Sequence, residues 1–131
     1  MAEFRHLTEH YSVSPQISAL DVAAAAAHGF DLIINNRPDF EAPGQPSGGE
    51  IAGAAQAAGL RYAHIPVAGR PSPEQVEAHR MAIASASGKV LAYCRSGTRS
   101  TLIWAMGASD PREHLITVAR RAGYDLSGVL P

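Results

Sequence analysis

Long alanine-rich stretches alternate along the chain with short apolar runs. The first long stretch begins at Ser18, carries an early carboxylate at Asp21 and stops at Gly29. These signals predict a helix with a serine N-cap and a glycine at its C-terminal end. The run DLIINN follows directly, and its short apolar character predicts a strand. The pattern therefore opens with a helix followed by a strand.

The same signals recur downstream. Ser47, with Glu50 three residues later, predicts the start of a second helix. Ser72 followed by Pro73 predicts the start of a third helix. The alternating segment that ends at Gly69 predicts a strand between these two helices. Three further segments complete the pattern: a strand KVLAYC, a helix RSTLIWAMGA and a last helix REHLITVARRAG.

Strands that alternate with helices of this kind indicate an α/β fold, with a mainly parallel sheet covered on both faces. The length of 131 residues fits one domain, whose core we expect to span residues 10 to 122. One segment, RPDFEAPGQPSGG, interrupts the alternation with a long loop rich in proline and glycine. Loops of that length in a compact domain are usually functional or disordered.

Composition narrows the functional classes. The net charge is -1 and the densest basic pair is Arg120-Arg121, which argues against nucleic acid or an anionic membrane as the main partner. The longest apolar run, Val22 to Ala27, is too short to span a bilayer, and the first residues lack the apolar core of a signal peptide. A single cysteine cannot form an internal disulfide, so a cytoplasmic location is expected. The histidines are scattered, and neither a metal nor another cofactor is expected.

The single cysteine, Cys94, stands where a predicted strand ends and a helix begins. Ligands of open parallel sheets bind at the carboxyl ends of strands. Gly97 permits a positive φ, with which consecutive backbone N–H groups form an anion-binding concavity, and the helix N-terminus adds partial positive charge. Arg99 can bind an oxyanion through two parallel hydrogen bonds. We therefore predict catalytic roles for Cys94 and Arg99. The residues predicted to bind the anion are Arg95, Ser96, Gly97, Thr98 and Ser100.

The segment YCRSGTRS resembles the active-site loops of two groups of cysteine enzymes. Protein tyrosine and dual-specificity phosphatases carry C-x-x-G-x-x-R-S, whereas rhodanese-type sulfurtransferases carry a loop that is one residue shorter. Here four residues separate Cys94 from Arg99, which is the shorter spacing. A shorter loop curls more tightly, so a persulfide sulfur or thiosulfate fits it more easily than a phosphate ester does.

Residues 10 to 108 resemble the DUF442 family, the phosphatase-like domain also found in β-lactamase-hydrolase-like proteins. The resemblance rests on SPQISALDVAAAAAHGFDLIINNRPDFEAPGQPS and on GLRYAHIPVAG together with VLAYCRSGTRS. It implies a dual-specificity-phosphatase-like fold, although some members of the family are labelled sulfurtransferases. In dual-specificity phosphatases the stretch resembling AHIPVAG usually ends in an aspartate that acts as the general acid. Ala68 and Gly69 occupy the matching positions here, and neither can donate a proton.

Other residues are candidates for a role at the site. Asp39 or Glu41 would replace the missing acid if their loop folds over the site. Arg37 follows a strand end at the expected edge of the sheet, where it either reaches the anion pocket or pairs with Asp39. Arg70 follows the next strand and either lines the rim of the pocket or is solvated.

The missing acid and the short loop both favour sulfur chemistry. Without a general acid, cleavage of a phosphate ester slows by about 10²–10⁴-fold, whereas a sulfite or thiolate leaving group departs as an anion. We therefore predict a sulfurtransferase in which Cys94 takes a sulfane sulfur from thiosulfate or a small persulfide. The resulting persulfide then passes its sulfur to an acceptor thiol or cyanide. Arg99 and Ser96 would hold the donor, and Ser100 is expected to hydrogen-bond the thiolate.

The alternative is a cysteine-dependent phosphatase that binds a phosphoanion and forms a phosphocysteine on Cys94. In that case Arg99 would hold the equatorial oxygens of the phosphoryl group. Two non-enzymatic alternatives also stay open. One is a module that binds an anion without turnover, and the other is a redox sensor that depends on one reactive thiol.

Overall fold

A five-stranded sheet forms the centre of the protein. The structure is a computed structural model and describes residues 2–131. The strands are β1 (Arg5–His6), β2 (Tyr11–Ser14), β3 (Phe30–Asn35), β4 (Arg61–His64) and β5 (Lys89–Tyr93). The helices are α1 (Ala19–Ala27), α2 (Gly48–Ala57), α3 (Pro73–Ser85), α4 (Thr98–Gly107) and α5 (Arg112–Arg121).

The strand order is β1-β2-β5-β3-β4, and every neighbouring pair except β1 with β2 is parallel. The predicted α/β fold with a mainly parallel sheet is therefore confirmed. Because β5 lies between β2 and β3, their carboxyl ends meet at one edge of the sheet: Tyr93 pairs with Ser14 on one side and with Asn35 on the other. Whatever follows Tyr93 emerges at the middle of that edge, where α/β sheets bind their ligands.

Side chains of β5 alternate between the two faces of the sheet, as a strand requires. Leu91 and Tyr93 join the cluster that α1 and α2 cover, whereas Val90 and Ala92 join the larger cluster against α4 and α5. Burying an apolar side chain of this size contributes about 1.5–3 kcal/mol. The core thus packs against both faces of β5.

Serine side chains begin three of the helices, as predicted. Ser18 and Ser72 each form a reciprocal capping box, the first with Asp21 and the second with Gln75. At α2 the Ser47 hydroxyl accepts a hydrogen bond from the N–H of Glu50. A cap of this type stabilises a helix by about 1 kcal/mol because it satisfies an N–H group that the helix itself leaves unpaired.

The structure differs from the sequence prediction in its strands. Two strands, β1 and β2, precede the first predicted helix. The strand that we expected to continue to Gly69 ends at His64, because Pro66 has no N–H group to extend the ladder. Past that point, the N–H of Val67 donates to the carbonyl of Asn36 and holds the segment beside the carboxyl end of β3. Between residues 2 and 131, none of the helices is both long and apolar enough to cross a bilayer.

Candidate active site

Cys94 lies directly after β5 and is fully buried. Its own N–H donates to the carbonyl of Ser14 on β2 at 3.4 Å. Gly97, with φ of 97°, turns the chain into α4, and its N–H points at the sulfur of Cys94 with an N···Sγ distance of 3.1 Å. A residue with a Cβ adopts this φ at a cost, so glycine suits the turn. The thiol therefore sits against the N-terminus of α4, as the sequence predicted.

The first turn of α4 is open. Within residues 2–131, no side chain accepts a hydrogen bond at its N-cap in the manner seen at α1, α2 and α3. The hydroxyl of Ser96 accepts from the N–H of Thr98 at 3.3 Å and contacts the Thr98 hydroxyl at 2.9 Å. Arg95, Ser96 and Thr98 are exposed, whereas Gly97 is buried. The N–H of Gly97 therefore faces the sulfur at the N-terminus of a helix, a setting that favours an anion.

Arg99 is fixed by two acceptors. Its Nη1 donates to Glu41 Oε2 at 2.7 Å and to the carbonyl of Val67 at 2.6 Å, and its Nη2 donates to Glu41 Oε1 at 2.8 Å. A guanidinium carries five N–H donors in a rigid plane. Three of them have these acceptors within the described chain, and the Nε–H and the second Nη2–H lie side by side on the remaining edge. That edge matches two oxygens of a tetrahedral anion.

Hydrogen bonds to Glu41, and after them the nearby sulfur of Cys94, raise the pKa of Arg99 above its ordinary value. The guanidinium therefore keeps its charge beside the thiol. This supports the predicted pairing of Cys94 with Arg99.

Glu41 belongs to the loop between β3 and α2, and this loop does fold over the site. Glu41 Oε1 also accepts from Nε of Arg37 at 2.9 Å, so the carboxylate lies between two guanidinium groups. The hydrogen bond from Arg99, followed by that from Arg37, lowers the pKa of Glu41 to about 2. Asp39 and Glu41 were the two candidates for the missing acid, and near neutral pH Glu41 is an ionised carboxylate in this conformation.

The other candidate acid, Asp39, is also engaged elsewhere. Its Oδ1 accepts from the N–H of Gly48 at 2.7 Å, at the first residue of α2, so it helps to close that helix rather than to face the sulfur. Arg37 is only 4% exposed and pairs with Glu41, not with Asp39; its Nη1 also donates to Gln16 Oε1 at 3.0 Å. Arg37 thus reaches the site through Glu41.

Arg70 does not line the pocket. Its Nη1 donates to the carbonyl of Val129 near the C-terminus at 3.1 Å, and the residue is exposed. The segment around Ala68 and Gly69 instead approaches the site through the backbone of Val67, whose carbonyl accepts from Arg99. Arg70 therefore joins two surface segments.

Ser100 is buried and held at both of its polar groups. Its hydroxyl donates to Oδ1 of Asn36 at 2.8 Å, so the prediction that this hydroxyl bonds the thiolate is wrong for this conformation: its proton is already committed. Its carbonyl accepts from the hydroxyl of Tyr11 at 2.8 Å. The ring of Tyr11 in turn stacks on Trp104 of α4, with ring centroids 6.0 Å apart.

His79 of α3 connects these groups. Its Nε2 lies 2.9 Å from the hydroxyl of Tyr11, and its Nδ1 lies 3.3 Å from Nδ2 of Asn36. Because the Tyr11 proton goes to Ser100, Nε2 carries the ring proton and Nδ1 accepts from the Asn36 amide. Burial lowers the pKa of His79 to about 3, which keeps the ring neutral. The sequence prediction missed Tyr11 and His79.

Comparisons with known proteins show the family of this chain. Residues 3–110 match the family described as "Beta-lactamase hydrolase-like protein, phosphatase-like domain". The beta-lactamase hydrolase-like protein of Agrobacterium fabrum is 38% identical over 125 residues, which are 92% of this chain and 29% of that protein. The chain therefore spans less than a third of the length of the curated relatives that it matches.

Solved structures of phosphatases are also similar to this chain in fold. A candidate phosphatase from Neisseria meningitidis is 36% identical with a TM-score of 0.85, and the match covers 95% of this chain and 91% of that one. Tk-PTP in its active form is 21% identical with a TM-score of 0.74, over 95% of this chain and 88% of that one. At that lower identity the likeness concerns the fold alone. The dual-specificity-phosphatase-like fold that the resemblance implied is thereby confirmed.

Proposed function

Because the chain belongs to the family of phosphatase-like domains of the beta-lactamase hydrolase-like protein, we propose that it is a cysteine-dependent phosphatase acting through a phosphocysteine on Cys94. The observation that carries this proposal is that the sulfur of Cys94 lies 3.1 Å from the N–H of Gly97 and near the charged guanidinium of Arg99, of whose five N–H groups Glu41 and Val67 accept three. Transfer of a phosphoryl group to a cysteine requires a thiolate that attacks phosphorus and donors that stabilise the charge on the equatorial oxygens. The relative from Neisseria meningitidis, named as a candidate phosphatase, supports the same reaction class.

The reaction takes place in two steps. In the first, the Cys94 thiolate attacks phosphorus, the S–P bond forms, and the P–O bond to the leaving group breaks with its electron pair on oxygen. Arg99 and the N–H groups of the loop stabilise the charge that spreads over the equatorial oxygens. In the second step water attacks phosphorus and the S–P bond breaks. Orthophosphate leaves, and Cys94 returns to the thiolate.

The engaged carboxylates determine which esters are good substrates. Asp39 accepts from Gly48 and Glu41 is ionised between two arginines, so in this conformation neither protonates the leaving oxygen. General acids contribute about 10²–10⁴-fold to such reactions. The substrates favoured by the site are therefore esters whose leaving group is stable as an anion, and aryl phosphates are the simplest of these.

The variant Glu41→Gln separates positioning of Arg99 from acid catalysis. Replacing the carboxylate by an amide weakens the charge-assisted contacts to Arg99, and we expect kcat/KM to fall about 10–100-fold. The fall should be equal for phosphate esters with good and with poor leaving groups. A loss concentrated on poor leaving groups would instead assign Glu41 as the proton donor after a loop movement. Glu50→Gln is the matched control, because Glu50 is an exposed glutamate in the first turn of α2. It should leave kcat/KM unchanged for both classes of ester.

Sulfur transfer is the second candidate function. Its support is the four-residue spacing between Cys94 and Arg99, together with Ala68 and Gly69 at the positions of the acid. Neither the family description nor the relatives named above speak for it. In that reaction Cys94 would carry a persulfide, and a thiol acceptor would be the second substrate.

One paired assay compares the two functions. The purified protein and its Cys94→Ser variant are given an aryl phosphate in one arm, and thiosulfate with cyanide in the other. We expect phosphate release that falls about 10⁴-fold or more in the variant, because the nucleophile is lost. Cys94-dependent thiocyanate formation without phosphate release would instead identify a sulfurtransferase. No Cys94-dependent turnover in either arm would leave an anion-binding module.

A further inference from the structure

Tyr124 lies in the segment after α5, beyond the residues that match the family model, and contacts the loop around Cys94. Its side chain is buried, and its hydroxyl donates to the carbonyl of Ser96 at 3.0 Å. The same hydroxyl stands so close to Gly97 that a Cβ placed there would lie 2.2 Å from it. Burial raises the pKa of Tyr124, so the hydroxyl keeps the proton that it donates. Tyr124 thus contacts the loop on the side of the carbonyl groups.

The two ends of a single peptide unit connect Tyr124 with the sulfur. The carbonyl of Ser96 and the N–H of Gly97 belong to the same planar trans peptide, in which they point in opposite directions. Tyr124 holds the carbonyl end, and the N–H end lies 3.1 Å from Sγ of Cys94. A hydrogen bond at the carbonyl also polarises the N–H and makes it a better donor.

This peptide has a particular need for such a contact. Gly97 has φ of 97°, and glycine occupies positive and negative φ about equally readily. A concerted rotation of ψ at Ser96 and φ at Gly97 would therefore turn the peptide over at little steric cost. The turned peptide would direct its carbonyl oxygen at the sulfur and at any bound anion, where like charges repel. Gly97 therefore permits the conformation of the loop, and it also permits the peptide between Ser96 and Gly97 to invert.

We propose that Tyr124 is a positioning residue that keeps the peptide between Ser96 and Gly97 in the orientation that binds the anion. The inference rests on the proposed function to the extent that this loop is the anion site. Tyr124 is itself held in place by Arg5. The guanidinium of Arg5 lies 5.3 Å from the centre of the Tyr124 ring, and its Nη1 donates to the carbonyl of Ala122 at 3.1 Å. The N-terminal strand and the segment after α5 thus support the loop together.

The test compares Tyr124→Phe with Tyr62→Phe. Both variants lose one hydroxyl and keep the ring, but the hydroxyl of Tyr62 accepts from Asn35 and does not touch the loop. The readouts are the dissociation constant of tungstate, used as an oxyanion probe, and the rate of iodoacetamide alkylation, which reports on Cys94 alone because the chain has one cysteine. In Tyr124→Phe we expect about three- to tenfold weaker tungstate binding and slower alkylation. Tyr62→Phe should match the wild type in both.

Thermal unfolding of each variant is followed alongside. If Tyr124→Phe does not fold, Arg5→Met serves in its place, because it removes the group stacked on the Tyr124 ring and leaves the loop sequence unchanged. A folded variant with wild-type tungstate affinity and alkylation rate overturns the inference, even if phosphatase activity is present. If the wild type hydrolyses no phosphate ester but the Phe variant still binds tungstate more weakly, the proposed function fails and the role of Tyr124 stands.

Discussion

The N-termini of α3 and α4 differ in what satisfies their N–H groups. At α3, Ser72 accepts from the N–H of Gln75 at 3.1 Å, and the Gln75 side chain accepts from the N–H of Ser72 at 2.8 Å. At α4, Gly97 stands in a left-handed conformation and, within residues 2–131, no side chain takes the place of that serine. The sulfur of Cys94 accepts from Gly97 instead.

This difference separates a helix start that is capped by side chains from one that, under the proposed function, binds an anion. The side chains of Ser72 and Gln75 cap the first turn of α3, and this capping box stabilises the helix. At the start of α4 the N–H of Gly97 points at the sulfur of Cys94 and the N–H of Thr98 donates to the Ser96 hydroxyl, while the partial positive charge of the helix faces the thiol. Substitutions at the N-terminus of α3 should therefore change mainly the stability of the protein. Substitutions at the N-terminus of α4 should change both stability and anion binding.

The largest effect is expected at the open end, from Gly97→Ala. The new Cβ would lie 2.2 Å from the Tyr124 hydroxyl, on a residue with φ of 97°. We expect the free energy of unfolding to fall by about 2–3 kcal/mol and kcat/KM on an aryl phosphate to fall about 100-fold. Urea unfolding and steady-state kinetics measure the two effects.

Gly53→Ala, in the middle of α2, is the control for Gly97→Ala. In the part of the chain that the structure describes, nothing lies within 4 Å of a Cβ placed at Gly53. We expect this variant to be more stable by about 0.5–1 kcal/mol, with unchanged activity. Equal effects of the two substitutions would show that the turn before α4 has no special requirement for glycine.

Another prediction concerns His79 of α3, whose ring contacts Tyr11 and Asn36, the two residues that hydrogen-bond Ser100 in the first turn of α4. Burial lowers the pKa of His79 from its ordinary value of about 6.5 to about 3, so between these pH values the unfolded state binds more protons. Stability must therefore fall as pH decreases through this range. We expect the free energy of unfolding to be about 2 kcal/mol lower at pH 5.0 than at pH 7.5.

Urea unfolding at several pH values tests this dependence. His79→Gln should flatten it over the same range, whatever its absolute stability, whereas His114→Gln at an exposed position should retain it. An unchanged pH dependence in His79→Gln would mean that other groups are responsible for it.

The smallest effect is expected at the closed end, from Ser72→Ala. The substitution removes the hydroxyl that accepts from Gln75 and should lower the free energy of unfolding by about 1 kcal/mol. Turnover of an aryl phosphate should stay within about twofold of the wild type, because no group near Cys94 changes. A larger loss of turnover would indicate that the two helix ends are coupled through His79.

The features predicted correctly from the sequence are local ones. Ser18, Ser47 and Ser72 predict three helix starts because a cap and its partner lie within four residues. Cys94 and Arg99 were placed together for the same reason, since one strand end and one helix start bring the loop between them into a single turn. The strand β2 was missed because four residues carry too little periodic signal.

The features that were missed depend on distant partners. Tyr11 and His79 are 68 positions apart, and Asn36 and Ser100 are 64 apart, so no spacing rule connects them. Asp39 or Glu41 was a candidate proton donor, but the low pKa of Glu41 depends first on its hydrogen bond from Arg99, 58 positions later. The preference for sulfur chemistry rested on loop length, a local measure, whereas the family match draws on residues 3–110 and favours phosphoryl transfer.

The stacking of Tyr11 on Trp104 gives the protein an optical reporter of the region around Cys94. Trp104 is the only tryptophan in the chain, and the Tyr11 ring lies nearly parallel to it at 13°. Tyr11 also donates to the carbonyl of Ser100, so a shift of the loop moves the ring next to the fluorophore. Indole emission should therefore change when tungstate binds, and a titration can follow occupancy of the site without labelling and without turnover.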